Sequence, residues 1–532
     1  MCGIWCLVSK GVDSTSFIKY IDNLKRRGPD VTNIIKEQNY ILGFHRLAIN
    51  DLSESGNQPF LFHDGNQKIY LICNGEIYNY KNLITKYDFE MESKSDCEVI
   101  YHMLKMYDYD ISKVIIELEG EFAFVVIMDD GNTVNTLVAR DRIGVRPLFF
   151  GSTGNGLVVS SLLSGISGLV EKAEVFPPGH YMINNELVPY YSYNYKTLSI
   201  TYEEAQIELV NRLVKCVEDR LISDRPIGCL LSGGLDSSLI VGIMVHILGV
   251  QKLKTFSIGM KGSTDLLYAQ KVAKHLNTDH TEVYFTIDDV MDNLKDIVKA
   301  TESWDITTNR ASAGQFLLAK HISENTDIKA IINGDGADEL GMGYLYFNYA
   351  PTALEAHEES VKLIKEIHRY DGLRVDRCLA YHGLEARVPF LDTYFLDFYM
   401  SLPAQWRMPH KGVVMEKDMI RKAFDAVYPN MLPKEVLFRQ KEAFSDGVTS
   451  KSKSLYTYIQ ENMENIITDK EFNEDKEIYE FYTPQTKEAY FYRRTFDEYF
   501  GDENAGVIPH YWLPKWINTK GEPSARVLSV YL

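Results

Sequence analysis

No run of 18 or more apolar residues occurs anywhere in the 532-residue chain, which excludes a membrane-spanning helix. The first residues carry no basic stretch ahead of their short apolar run, so no secretory leader is expected. Cysteine is sparse: seven residues, at positions 2, 6, 73, 97, 216, 229 and 378, form neither C-x-x-C pairs nor a dense framework. That usage suits a reducing compartment, and the cytoplasm is the expected location. Positive charge is also in deficit, with 56 Lys and Arg against 74 Asp and Glu, a net charge of −18. A general role on nucleic acid or on an anionic membrane surface is therefore excluded, and any anionic substrate must be met by a local set of cations. There is no internal repeat and no low-complexity segment.

What is present is a soluble, globular composition, 45% hydrophobic and 24% charged, long enough for two or more domains. The stretch Leu230-Leu231-Ser232-Gly233-Gly234-Leu235-Asp236-Ser237-Ser238 lies between two apolar runs and reads as strand, glycine turn, helix. Glycines free the backbone there, and serines and the first helical N–H groups make a phosphate-sized anion site. No Lys follows the second glycine, so this is not the G-x-x-x-x-G-K loop. Asp236 stands in its middle, and a carboxylate beside a phosphate nest makes sense if a hard cation such as Mg²⁺ bridges them. An ordinary turn before a buried helix is the alternative.

The chain opens Met1-Cys2-Gly3-Ile4-Trp5. Removal of Met1 leaves thiol and α-amine on one residue, where the amine serves as general base for the thiol. Phe44-His45-Arg46-Leu47-Ala48-Ile49-Asn50 alternates like a strand, Tyr70 to Cys73 runs into Asn74-Gly75-Glu76-Ile77-Tyr78-Asn79, and each ends in polar groups. Asn74 and the Gly75 N–H can form an oxyanion hole, Arg46 can clamp a carboxylate in bidentate fashion, and Asp96 can hold an ammonium. Taken singly, Asn-Gly is a hairpin turn, Arg46 a surface charge and Asp96 a helix cap.

Further strands are expected at 120–127, 137–142 and 147–150, so the first half reads as stacked sheets flanked by helices. A Tyr-rich polar stretch, 184–198, looks like the join. Thr201 and Glu204 then make a capping box for a helix whose core stripe is Ile207, Val210, Leu213, Val214, Val217 and Leu221. The second half alternates strands (253–259, 329–333) with helices, the pattern of a doubly wound parallel sheet whose ligands collect at strand C-termini. A second Gly-rich loop, Gly334-Asp335-Gly336-Ala337-Asp338-Glu339, falls at such an end. Asp236 and Asp338 can converge on a metal held against a pyrophosphate, although an acidic pair opening a helix reads the same way. Thr307, Thr308 and Arg310 form a polar patch. Arg387 and Lys441, in the helical C-terminal part, are cations for phosphates or a substrate carboxylate, or else surface charges.

Read together, Met1-Cys2-Gly3-Ile4, Arg27-Gly28-Pro29-Asp30, the Asn74 to Asn79 run, Ser95-Asp96, the Ser232 to Ser238 loop, Asp305 to Ala311, Gly383-Leu384-Glu385-Ala386-Arg387-Val388-Pro389-Phe390-Leu391-Asp392, Lys441 to Gly447 and the tail motifs at 511–517 and 523–526 resemble the glutamine-hydrolysing asparagine synthetases along essentially the whole chain. The resemblance implies α/β and α+β architecture in two domains: an N-terminal αββα sandwich of the N-terminal nucleophile type over 1–195, and over 196–532 a doubly wound parallel sheet with extra helices, an ATP pyrophosphatase domain. It implies that Cys2 attacks the glutamine amide, that Asn74 and Gly75 hold the oxyanion, and that Arg46, Ile49, Glu76 and Asp96 bind glutamine. Leu231, Ile258, Asn333 and Gly334 would contact ATP, and Ser232, Gly233, Gly234, Asp236, Ser237 and Ser238 would hold pyrophosphate. Asp236 and Asp338 would bind Mg²⁺, and Thr307, Arg310 and Lys441 would steady the leaving pyrophosphate. Glutamine, aspartate and ATP are the implied small-molecule partners, and a homodimer is compatible with the resemblance.

Three departures stand out. Asn333-Gly334-Asp335-Gly336 replaces the family's usual Ser-Gly-Glu-Gly, so a catalytic carboxylate, on Asp335, is retracted by about 1.5 Å. The 159–166 region lacks a frequent Glu, and Lys25-Arg26 replaces a frequent Arg-His. Rival readings are a lactam-forming ligase, against which Cys2 argues, a ligase amidating another carboxylate, and a non-catalytic binding protein, which would have no need of Cys2, Asp236 and Asp338.

Overall fold

A computed structural model describes residues 1–9, 16–154, 156–442, 447–449 and 453–517. Among the described residues, seventeen strands form three sheets. The first two sheets are antiparallel. One joins β1 (Gly3–Val8), β2 (Val31–Lys36), β3 (Tyr40–Arg46), β8 (Phe149–Ser152), β9 (Leu157–Ser160) and β10 (Glu174–Val175) in the order β10-β8-β9-β1-β3-β2. The other joins β4 (Phe60–Asp64), β5 (Gln67–Ile77), β6 (Gly120–Asp129), β7 (Val134–Arg140), β11 (His180–Ile183) and β12 (Glu186–Pro189) in the order β12-β11-β7-β6-β5-β4.

Period-two alternation sorts each strand between two cores. In β1, Ile4 and Cys6 enter the layer between the sheets with Leu42, Phe44, Ile72 and Val125, while Trp5 and Leu7 face the opposite way. The outer face of the second sheet is covered by helices Tyr80–Tyr87, Val99–Met106 and Ile111–Glu117. The outer face of the first carries helix Ile18–Asp22, whose Ile21 lies against Gly43. The result is the expected αββα sandwich. Because β12 is paired with β11, the Tyr-rich stretch does not begin at 184 as a linker: its first residues close a hairpin.

The third sheet is parallel, with β13 (Ile227–Leu230), β14 (Lys254–Gly259), β15 (Asp279–Tyr284), β16 (Ala330–Ile332) and β17 (Glu385–Arg387) in the order β15-β14-β13-β16-β17. Strand β13 pairs with both β14 and β16, so the chain winds outward in both directions from it. The loops after β13 and β16 therefore open side by side at the switch point, where such sheets bind ligands. Strand β17 corrects the sequence reading, which placed Arg387 in a helical region: the short run is held by parallel pairing with β16, not by its own propensity.

Helix Tyr202–Asp219 has the capping box, Thr201 and Glu204 each accepting from the other's backbone N–H. Val210, Leu213 and Val217 are buried on it, but Ile207 is 53% exposed and leaves the predicted stripe. No helix among the described residues is long and apolar enough to cross a membrane.

Candidate active sites

The first site surrounds Cys2 at the start of β1. Asn74, Gly75 and Glu76 lie within β5 rather than in a hairpin turn, paired with Ala123, Phe122 and Glu121 of β6. The Cys2 backbone N–H donates to Asn74 Oδ1 at 2.9 Å, which fixes the amide's orientation. Asn74 Nδ2 then points into the protein with no hydrogen-bond partner, fully buried. A buried donor without a partner is costly to keep and marks a place where an acceptor is meant to arrive. Cys2, Arg46, Ile49, Gly75, Glu76 and Asp96 line one cavity of about 30 Å³, in which burial pushes the Cys2 thiol above its ordinary pKa. The α-ammonium here belongs to Met1 and pairs with Glu385 Oε2 at 3.0 Å.

Two expected ligands are engaged elsewhere. Arg46 Nη1 donates to Ser53 O and Asn57 Oδ1, and Nη2 to Asn50 O and Asp51 O. Its forked face anchors loop 50–57, leaving only Nε–H for the carboxylate clamp the sequence suggested. Glu76 accepts from Asn50 Nδ2 and lies 3.3 Å from Arg387 of the parallel sheet. Arg387 thus faces the Cys2 site and not the phosphate loop, being fully buried between Glu76, Glu385 and the backbone of Arg220 and Ile222. Asp96 accepts the Ile77 N–H at 2.7 Å, tying the end of β5 in place.

The second site is a cavity of about 260 Å³ where the loops after β13 and β16 meet. Leu231, Ser232, Gly234, Asp236, Ser237, Ile258, Thr307, Arg310, Asn333, Gly334, Asp335, Asp338 and Lys441 all line it. Glycine is required at two positions. Gly233 has φ +73°, and a Cβ there would fall 2.3 Å from the Ala269 nitrogen; at Gly334 a Cβ would fall 2.8 Å from the Asp236 backbone. The second contact is what brings the two carboxylate-bearing loops together. Gly233 itself turns toward helix Thr264–Leu276, and Ser238 is buried beneath the loop with an unpartnered hydroxyl, so neither lines the cavity as the sequence suggested.

Asp305 caps helix Ile306–Asn325 and so places Thr307 in its first turn and Arg310 at the start of its second. Arg310 reaches the cavity wall, yet its Nε and Nη2 both donate to buried Glu488, at 3.1 and 2.7 Å. Asp335, raised in pKa by burial, pairs with Arg374 at 2.8 Å. Asp338 holds Lys441 at 2.5 Å through Oδ2 and Lys417 at 2.5 Å through Oδ1, and Lys417 also lies 2.5 Å from Asp236 Oδ2. Burial alone would raise the Asp338 carboxyl; the two ammonium groups hold it well below the usual carboxylate range. Lys417 escaped the sequence reading because a lone Lys in a loop carries no motif. Residues 443–446 of the run beginning at Lys441, and the tail motif at 523–526, lie outside the described residues.

Does this corner suit a divalent cation? Asp236 Oδ1 is buried without a hydrogen-bond partner, and a cation position already exists between the two carboxylates. Hard oxygen donors on either side are of the kind that Mg²⁺ takes.

Comparison with known proteins gives the same division of chemistry. The family described as glutamine amidotransferase domain matches residues 1–202, and that described as asparagine synthase matches 208–362 and 348–518. The chain is 40% identical to asparagine synthetase [glutamine-hydrolyzing] of Rattus norvegicus and of Homo sapiens, in each case over 100% of this chain and 99% of the relative. It is 39% identical to the probable asparagine synthetase [glutamine-hydrolyzing] of Acanthamoeba polyphaga mimivirus, with both chains covered completely. By full-length similarity and by both matched domains, the chain belongs to the asparagine synthase family, in the branch that carries a glutamine amidotransferase domain.

Proposed function

We propose that the protein is an ATP-dependent, glutamine-hydrolysing ligase that converts aspartate to asparagine, its two half-reactions running in the two sites above. The observation that carries the first half is the unpartnered Asn74 amide beside Cys2. After Met1 is removed, Cys2 Sγ adds to the side-chain carbonyl of glutamine while its own α-amine takes the thiol proton. Asn74 Nδ2 and the Gly75 N–H receive the oxyanion. The C–N bond breaks, ammonia leaves, and water hydrolyses the thioester to glutamate. Ile49, Glu76 and Asp96 shape the glutamine pocket, and Arg46 contributes to carboxylate recognition mainly by shaping loop 50–57.

In the second site the β-carboxylate of aspartate attacks the α-phosphorus of ATP, the α–β bond breaks, and pyrophosphate departs. Ammonia then attacks the β-aspartyl adenylate and releases AMP. Adenylation is needed because a free carboxylate has no leaving group for ammonia to displace. Leu231, Ile258, Asn333 and Gly334 bind the nucleotide, and Ser232, Gly234, Ser237, Thr307 and Lys441 hold the phosphates. Mg²⁺, held by Asp236 and Asp338, would neutralise charge on the pyrophosphate. Asp335, steadied by Arg374, supplies the carboxylate that the family presents on a longer side chain.

We place the domain limits at 1–195 and 196–532, a division supported by β12 ending at Pro189 and the next helix starting at Tyr202. The cytoplasm and a homodimer are part of the same reading. Mass balance with glutamine, aspartate and Mg-ATP tests it: asparagine, glutamate, AMP and pyrophosphate are expected in equal amounts. ADP in place of AMP, or turnover independent of aspartate, would refute it.

A further inference from the structure

Two carboxylates and two ammonium groups share one corner of the large cavity. Lys417 is the central one, its Nζ 2.5 Å from Asp236 and 2.5 Å from Asp338, and its side chain only 2% exposed although it lines the cavity. It sits in the turn before helix Asp418–Val427 with φ +56°, a left-handed backbone that is costly for a non-glycine residue. That strain is sustained where the side chain is needed at one point. Among the described residues no group of three or more His, Cys, Asp or Glu side chains is placed to hold a metal.

The consequence follows from electrostatics. A divalent cation arriving alone would have to evict a buried ammonium and would gain only two carboxylates, far short of the six oxygens Mg²⁺ demands. Arriving with a polyphosphate, it brings the missing oxygens and also new anionic partners for the displaced ammonium. We propose that Lys417 is a resident counter-ion: it holds Asp236 and Asp338 together in the nucleotide-free enzyme, keeps free divalent cations out, and yields its place only to a cation delivered with the nucleotide. Metal and nucleotide binding are thereby coupled through one side chain. The inference rests on Asp236 and Asp338 being the cation carboxylates.

Mn²⁺ uptake by the full chain, read from loss of the free-ion electron paramagnetic resonance signal, tests both levels. In the wild type, α,β-methylene-ATP should tighten Mn²⁺ binding by roughly 5- to 150-fold, the usual range for coupled sites. Lys417→Met and Lys417→Gln should bind Mn²⁺ without nucleotide about tenfold tighter than wild type and lose most of that coupling, while Lys417→Arg should keep it. If nucleotide-bound wild type takes up no Mn²⁺, or Asp338→Asn takes it up equally well, the metal-site reading itself falls. If that reading holds but the Met and Gln variants match wild type without nucleotide, the counter-ion role is overturned. Wild type that binds Mn²⁺ as tightly without nucleotide as with it overturns the role with no variant required.

Discussion

The two sites hold their polar groups in opposite states. Around Cys2 they are already spent inside the protein: Arg46 on loop 50–57, Glu76 on Asn50 and Arg387, Asp96 on the end of β5. One neutral donor, Asn74 Nδ2, is left over, buried next to Cys2 but behind the lining of the cavity of about 30 Å³ that Cys2 and Gly75 help to form. In the cavity of about 260 Å³ the groups are ionic and paired with one another, Asp236 with Lys417, Asp338 with Lys417 and Lys441, Asp335 with Arg374. The first arrangement suits attack on an uncharged amide, because a fixed dipole meets the oxyanion with no reorganisation. The second must exchange internal ion pairs for a polyanion and its cation, so its affinity is set by charge.

Removing one group from each side should break the comparison most sharply. Asp338→Asn is expected to lower asparagine formation by on the order of a thousandfold with either glutamine or ammonia as donor, leaving glutamate release from glutamine within a fewfold of wild type. Cys2→Ala should do the reverse, abolishing glutamine-dependent synthesis while ammonia-dependent synthesis persists. A loss of both activities in Cys2→Ala would mean that the sites are not chemically separate. Asn74→Ala should cost the glutaminase about 10²- to 10³-fold in kcat with little change in KM, since the donor acts on charge that develops in the transition state. An effect confined to KM would assign Asn74 to ground-state binding instead. Asp335→Ala should slow aspartate-dependent pyrophosphate release by roughly 10²-fold. Unchanged release would remove Asp335 from the reaction and leave its pairing with Arg374 as its whole role.

The sequence exposed those features that are local in the chain. The glycine loop after β13, the capping box at Thr201, the Cys2 start and the carboxylates at 335 and 338 all reveal themselves within a few residues, and each lies in the expected element. What it concealed depends on partners far along the chain. Lys417 meets Asp236 across 181 positions, and Arg387 is drawn to Glu76 by a strand that exists only because β16 lies beside it. Arg46 was legible as a functional cation, but not the loop that consumes its donors, since three of the four acceptors are backbone carbonyls, which any sequence offers.

A smaller effect sharpens the comparison at the level of stability. Glu117, in the amidotransferase half, is penalised by burial, but bonds from Lys86, Tyr107 and Tyr87 outweigh that and pull it down to about 2. Asp305, in the synthetase half, is pushed up by burial to about 6 despite accepting from the Thr308 and Trp512 N–H groups. The signs are opposite. Glu117 binds its proton less readily folded than unfolded, so its contribution is full above its ordinary pKa and is lost as the pH falls toward 2. Asp305 binds its proton more readily folded, so its contribution is full below its ordinary pKa and is lost as the pH rises through 6. Each is worth at most about 2–3 kcal/mol. Urea midpoints should therefore show Asp305→Asn gaining on wild type between pH 4 and 6, and Glu117→Gln lagging by an amount that is steady above about pH 5 and shrinks as the pH falls below it. Parallel curves for Asp305→Asn and wild type would show that the capping bonds, and not burial, set that carboxylate's charge.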